Sequence, residues 1–105
     1  MTNEEYLAFV RTNWKGPSTD TEAGHYKNLF LMTSGLTGEA GEVVDAMKKE
    51  VRDNVFKTNE IKLELGDLLH YLVKVADHYN LTIEDLQQSN VEKLTAREAA
   101  RCRTV

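Results

Sequence analysis

Cysteine, long apolar runs and excess positive charge are all scarce in this sequence, and each scarcity argues against a class of protein. The single cysteine, Cys102, has no partner for an internal disulfide, so a reducing, cytoplasmic setting is expected. No run approaches the roughly 18 apolar residues of a membrane span, and the polar, acidic start of the chain does not resemble a secretory leader. With a net charge of −4, the chain offers no basic surface for a nucleic-acid polymer. We therefore expect neither a membrane nor a nucleic-acid polymer as a partner.

The length and composition are typical of one small globular domain. The chain has 105 residues, of which 41% are hydrophobic and 29% are charged. A single proline, Pro17, lies in the segment Lys15–Gly24, which we interpret as a loop. We treat residues 1–105 as a single domain. Because so short a chain buries only a modest core, oligomerisation is a common way to stabilise it.

Apolar residues recur at helical spacing, and no segment alternates with the period of a strand. Thr2 and Glu5 have the form of a capping box, which predicts a short helix to about Trp14. The pattern predicts three more helices, over His25–Val51, over Asn59–Tyr79, and from the cap at Thr82 to about Arg101. The expected fold is therefore an all-α bundle of four helices.

The two central helices each carry one apolar stripe. In the second helix the stripe comprises Leu29, Phe30, Leu36, Ala40, Val43, Val44, Met47 and Val51. In the third it comprises Ile61, Leu65, Leu68, Leu69, Leu72, Val75 and Ala76. Packing of the two helices against each other through these stripes is one arrangement that would bury them.

An acidic pair lies beside each stripe, on the same flank. On a wheel of about 100° per residue, Glu39 and Glu42 lie at about −80° and −140° from Leu29. Glu64 and Asp67 lie at about −60° and −120° from Ile61, so the two pairs converge if the stripes pack. Four adjacent carboxylates need a cation or protons to relieve their repulsion. Oxygen ligands favour Mg²⁺, with Mn²⁺ as a plausible substitute.

The spacing of the acidic residues and glycines leaves two questions open. Acidic residues beside an apolar stripe are also common on solvated helix surfaces, so the spacing alone permits either a metal site or an ordinary surface. Gly35, Gly38 and Gly41 each cost a helix about 1 kcal/mol relative to alanine. Either they allow another helix or a substrate to approach the backbone closely, or the helix begins late, near Gly38.

The acidic motif resembles that of a known family. The pattern Glu39-x-x-Glu42 followed by Glu64-x-x-Asp67, within GLTGEAGEV and LELGDLLHYL, is similar to that of the all-α nucleoside triphosphate pyrophosphohydrolases. It resembles the MazG-like members in particular, and the similarity spans roughly residues 25 to 97. The C-terminal segment NVEKLTAR, with Asn90-x-x-Lys93-x-x-x-Arg97, strengthens the resemblance.

The resemblance implies an activity, a cofactor and an assembly. Family members hydrolyse nucleoside triphosphates between the α- and β-phosphates, giving a monophosphate and pyrophosphate. They use Mg²⁺ bound by the four motif acids, here Glu39, Glu42, Glu64 and Asp67. They are helical bundles that form dimers or tetramers, and some act as house-cleaning enzymes on non-standard or excess nucleotides. One of the first two glutamates, Glu39 or Glu42, is expected to orient or deprotonate the attacking water.

The resemblance also implies residues that contact the nucleotide. Asn90, Lys93 and Arg97 correspond to a polar set that meets phosphates or metal. His25 and Asn28 resemble a segment near the nucleotide, Tyr71 resembles an aromatic residue beside the site, and Trp14 is a candidate for stacking on the base. The alternative is a non-catalytic helical module that binds nucleotide or a protein partner.

Overall fold

The computed structural model describes residues 1–103, and it contains four α-helices and no strand within them. The helices are α1 (Asn3–Asn13), α2 (Glu22–Asp53), α3 (Thr58–His78) and α4 (Ile83–Arg103). The expected all-α class is therefore confirmed, and each predicted helix is present.

Local signals in the sequence explain where the helices begin and end. The Thr2 hydroxyl accepts a hydrogen bond from the Glu5 N–H, and the Glu5 carboxylate accepts one from the Thr2 N–H, so the capping box is confirmed. Thr21 caps α2, which consequently begins inside the segment expected to be a loop. Asn54, directly after α2, and Asn80, two residues after α3, adopt left-handed backbone conformations.

The described chain forms two compact units, of which Met1–Val75 is the first. Val10, Met32, Ala46 and Val73 are its buried apolar side chains. Within this unit α2 and α3 are antiparallel, because Gly35 meets Tyr71 near one end and Lys49 lies 3.8 Å from Glu60 near the other. The second unit, from Ala76 onward, contains α4, which has no buried residue. Thr82 precedes the helix, and its hydroxyl accepts a hydrogen bond from the Asp85 N–H while the Asp85 carboxylate accepts one from the Thr82 N–H.

Helix α2 does not bury its whole apolar stripe within the single chain. The residues of α2 that are buried are Asn28, Met32 and Ala46, which lie about 90° from the stripe on the helical wheel. Phe30, Val44, Met47 and Val51 of the stripe are instead largely exposed, Val51 by 82%. The helix is rotated because the side that meets α3 is the one carrying Gly35 and Glu39.

Helix α2 runs without a break through its three central glycines, so the late helix start is wrong. A Cβ on Gly35 would overlap the ring of Tyr71, which lies directly on the α2 backbone. Gly38 and Gly41 have no such neighbour within 4 Å. Close packing within the chain therefore accounts for Gly35 and for neither of the other two.

None of the helices in the described part of the chain is both long and apolar enough to span a membrane.

Candidate active site

Three carboxylates from α2 and α3 form a compact group. One oxygen from each of Glu39, Glu64 and Asp67 lies within 4.8 Å of the others. Glu64 and Asp67 are one turn apart on α3, and the antiparallel α2 places Glu39 opposite them. The convergence expected from the helical wheel therefore occurs for three of the four acids.

The electrostatics of this group are unfavourable to three full negative charges. Partial burial raises the pKa of Glu39, and the charges of Asp67 and Glu64 raise it further, together with a hydrogen bond to Glu64. A carboxylate bonded to another carboxylate requires a shared proton, so the group binds a proton more readily than isolated glutamates do. Glu39 and Glu64 are half-buried, whereas Asp67 is exposed.

The donor set of this group fits a hard divalent cation. The available atoms are carboxylate oxygens, the ligands that Mg²⁺ and Mn²⁺ prefer, and no histidine or cysteine belongs to the group. A cation at this position would replace the shared proton and neutralise the repulsion among the three carboxylates.

Glu42 lies outside the group of three. Its side chain is exposed, and its charge makes only the last of the contributions that raise the pKa of Glu39. It lies one turn after Glu39 on α2. The arrangement of the chain alone therefore groups three of the expected four acids.

A cavity of about 380 Å³ opens beside the acidic group. Glu39 and Asp67 line it together with side chains of two other kinds: the aromatic rings of Phe9 and Tyr71, and the polar groups of Asn13 and His70. This size and mixture of apolar and polar walls are typical of small-molecule sites. Of these residues, Glu39, Asp67 and Tyr71 were predicted at the site, whereas Phe9, Asn13 and His70 were not.

Helix α1 forms one wall of the cavity, a position that its sequence pattern does not predict. Phe9 and Asn13 lie on successive turns of α1, and Tyr6 precedes them by a further turn with its ring stacked 6.3 Å from that of Phe9. Partial burial raises the pKa of Tyr6, and the nearby charge of Asp67 adds to the rise. The spacing of Tyr6, Phe9, Val10 and Asn13 marks one face of a helix, but nothing in it identifies the partner of that face.

Trp14 and Asn28 are joined beside Tyr71. The indole Nε1 of Trp14 donates a hydrogen bond to Asn28 Oδ1 at 2.7 Å, and Asn28 is 4% exposed. The Trp14 ring is edge-on to Tyr71 at 6.1 Å, with the Lys74 ammonium 5.3 Å from its centroid. A Cβ at Gly16 would overlap both partners of the hydrogen bond, so the glycine permits this contact.

The remaining residues that were predicted to contact the nucleotide lie in two helices, α2 and α4. His25 is in the first turns of α2, half-buried and edge-on to Tyr26. Asn90, Lys93 and Arg97 are exposed residues of α4, in the second unit. On a helix, the spacing of Asn90, Lys93 and Arg97 places all three on one face. Their roles, and that of His25, stay predictions.

Residues 28–102 match the model of the MazG nucleotide pyrophosphohydrolase domain. The chain belongs to this family. It is also 32% identical over 77 residues to the Gene 37 protein of Mycobacterium phage L5, an alignment that covers 69% of this chain and 68% of the phage protein. No solved structure matches the chain.

The MazG match includes the four candidate metal ligands but does not include α1. It begins at Asn28 and therefore contains Glu39, Glu42, Glu64 and Asp67. Phe9 and Asn13, which line the cavity from α1, fall before its first residue. The acidic group thus lies within the matched residues, whereas one wall of the adjoining cavity lies outside them.

Proposed function

We propose that this MazG protein hydrolyses nucleoside triphosphates, canonical or non-canonical, between the α- and β-phosphates to give a nucleoside monophosphate and pyrophosphate. The observation that carries the proposal is the group of three carboxylates on the wall of a cavity that also presents aromatic rings. A triphosphate needs cations to approach carboxylates, and a base needs apolar walls.

Glu39, Glu64 and Asp67, with Glu42 beside them, are the proposed ligands of Mg²⁺, for which Mn²⁺ is a substitute. When bound, the ion supplies charge neutralisation, polarisation of phosphoryl oxygens and a lowered pKa for water. The raised pKa of Glu39 reflects how strongly the metal-free group resists full ionisation. The residues thus fit a cation both in their ligand atoms and in their electrostatics.

The chain's own residues have distinct roles in the proposed reaction. Glu39 or Glu42 accepts the proton of the water that attacks the α-phosphorus, and pyrophosphate leaves in line. Lys93 and Arg97, with Asn90, bind the charge of the departing pyrophosphate. His25, Asn28 and Trp14 support the nucleotide side of the site, where Tyr71 contributes an aromatic wall.

A homo-oligomer, dimer or tetramer, is part of the proposal. The exposed apolar residues of α2, including Phe30, Val44 and Met47, lie along one side of that helix. A contiguous apolar surface of this kind is expected to be covered by another subunit. The proposed setting is the cytoplasm, and the proposed role is house-cleaning or control of the nucleotide pool.

The test is pyrophosphate release from a panel of natural and modified nucleoside triphosphates, with and without Mg²⁺. We expect Mg²⁺-dependent release in the wild type and its loss in Glu64→Gln and Asp67→Asn, because each variant removes a charged ligand of the ion. Circular dichroism should show the same helical signal for all three proteins. Full activity in both variants, or no release from any nucleotide by the wild type, would refute the proposed activity and favour a non-catalytic module.

A further inference from the structure

We propose that Asn13 of α1 and His70 of α3 recognise the base of the nucleotide in the cavity beside the acidic group. This inference rests on the proposed function, and it assigns the base-recognising groups that the family resemblance leaves open. Neither residue was identified as a candidate from the sequence.

The carboxylates of Glu39 and Asp67 lie toward one end of the cavity, and the polar side chains of Asn13 and His70 lie toward the other. Tyr6 is near Asp67, whereas Trp14 is near Tyr71 and Lys74, so α1 and α3 run in the same direction. Asn13 is seven residues after Tyr6, about 10 Å along the helix. His70 is one turn beyond Asp67 on α3. Both polar groups therefore lie farther along the cavity than the carboxylates, as a base lies beyond the phosphates it is joined to through the sugar.

The aromatic walls beside Asn13 and His70 suit a flat heteroaromatic ring. Phe9 and Tyr71 line the cavity with aromatic rings, on which any nucleotide base can stack. The ring of His70 is edge-on to that of Tyr71 at 5.4 Å. Tyr71 is itself fixed against the α2 backbone at Gly35. The apolar walls and the polar groups thus occupy rigid helices, which favours selective binding.

Asn13 and His70 also have the hydrogen-bonding capacity that a base edge requires. The Asn13 amide offers an acceptor oxygen and two N–H donors, one of which is bonded to the Phe9 carbonyl at 3.0 Å. This bond orients the side chain at the last turn of α1. A neutral histidine offers one donor and one acceptor. Base edges present neighbouring donors and acceptors, which amide side chains pair with in two-bond contacts.

The decisive variant is Asn13→Asp, because a carboxylate accepts hydrogen bonds but donates none. We expect Asn13→Asp to favour bases with an exocyclic amino group over the otherwise similar bases that carry a carbonyl at the same ring position. The ratio of kcat/KM for dCTP over dUTP, and for dATP over dITP, should rise about tenfold in at least one pair. Ratios within a pair cancel any uniform effect of the added charge on the triphosphate.

Thr12→Asp is the matched control. Thr12 also bonds a carbonyl four residues earlier, Ala8 at 2.9 Å, but it does not line the cavity. The control adds the same charge and loses an equivalent bond, so its base ratios should equal those of the wild type. For His70, His70→Leu should reduce discrimination between bases in KM, and His70→Gln, which keeps a donor and an acceptor, should restore it.

Calorimetric binding of α,β-imido nucleotides in the presence of Mg²⁺ separates this inference from the proposed hydrolysis. A changed base preference of Asn13→Asp in binding would support the base site even if no triphosphate were cleaved. Equal changes for all bases, the same change in Thr12→Asp, or no binding of any analogue at millimolar concentration would overturn it. Loss of pyrophosphate release in the Glu64 and Asp67 variants tests hydrolysis independently of these outcomes.

Discussion

Replacing Glu39 with glutamine should stabilise the metal-free protein while it abolishes the proposed activity. One oxygen of Glu39 lies within 4.8 Å of an oxygen of Glu64 and of Asp67. Two unit charges at such a distance repel by roughly 1 kcal/mol in water. Because these side chains are partly exposed to solvent, we use this value and not the larger one of a buried site. Removing the Glu39 charge relieves two such repulsions, and the new amide donates to a neighbouring carboxylate. We expect a gain of about 1–2 kcal/mol in the free energy of unfolding.

Thermal unfolding in EDTA at low ionic strength measures this gain. For a domain of about this size, 1 kcal/mol corresponds to a rise in Tm of about 4–8 °C. The folded-state pKa of Glu39 lies above its ordinary value, so the folded state binds the proton more tightly. The wild type is therefore relatively most stable below that ordinary value and loses stability as pH rises through the raised pKa. The advantage of Glu39→Gln should be largest near pH 7.5 and should disappear near pH 4.

Magnesium should reverse the order. Millimolar Mg²⁺ should raise the Tm of the wild type and have a smaller effect on Glu39→Gln, which has lost a ligand. Glu42→Gln is the control, because Glu42 lies outside the group of three and its gain in EDTA should be smaller. A Glu39→Gln protein that is less stable than the wild type in EDTA at pH 7.5, or a gain that does not depend on pH, would refute the electrostatic reasoning.

Three other perturbations test the packing. Gly35→Ala should lower the free energy of unfolding, measured in urea, by about 1–3 kcal/mol, because a Cβ would overlap the Tyr71 ring. Gly38 has open space around it, so Gly38→Ala should raise the free energy of unfolding by up to about 1 kcal/mol. A change of the same sign in both variants would contradict the close packing at Gly35. Asn28→Ala should cost about 1–3 kcal/mol, because the indole N–H loses its acceptor. The emission of the only tryptophan should shift to the red as water replaces the amide, and unchanged emission would contradict the contact. Met47→Glu should reduce the mass measured by light scattering to that of a monomer, and an unaltered oligomer would show that this part of α2 is not the interface.

Periodicity and capping residues were sufficient to predict the helices. Thr2 and Glu5 marked the start of α1 correctly, and the breaks before α3 and α4 fell within a few residues of the observed ones. These signals are local, since they depend on side chains within one turn of the helix end. Thr21 was not identified as a cap because the segment Lys15–Gly24 was interpreted as a loop, although the Thr21 hydroxyl accepts a hydrogen bond from the Gly24 N–H.

The rotation of α2 could not be derived from its pattern of apolar residues. An apolar stripe specifies only that some partner covers it, and a neighbouring subunit is one such partner. The helix meets α3 through Gly35 and Glu39 instead. The helical wheel still predicted that Glu39, Glu64 and Asp67 converge, because these acids lie on the sides of α2 and α3 that face each other.

The sequence alone determined the helices, the acidic residues at i and i+3, and through them the family. Each of these depends on residues close together in the chain or on a motif with fixed spacing. The tertiary structure decided which acids form the compact group, that Tyr71 rests on Gly35, and that α1 supplies Phe9 and Asn13 to the cavity. Those contacts join residues more than twenty positions apart. They depend on how the helices are rotated and paired, which the periodicity of a single helix does not specify.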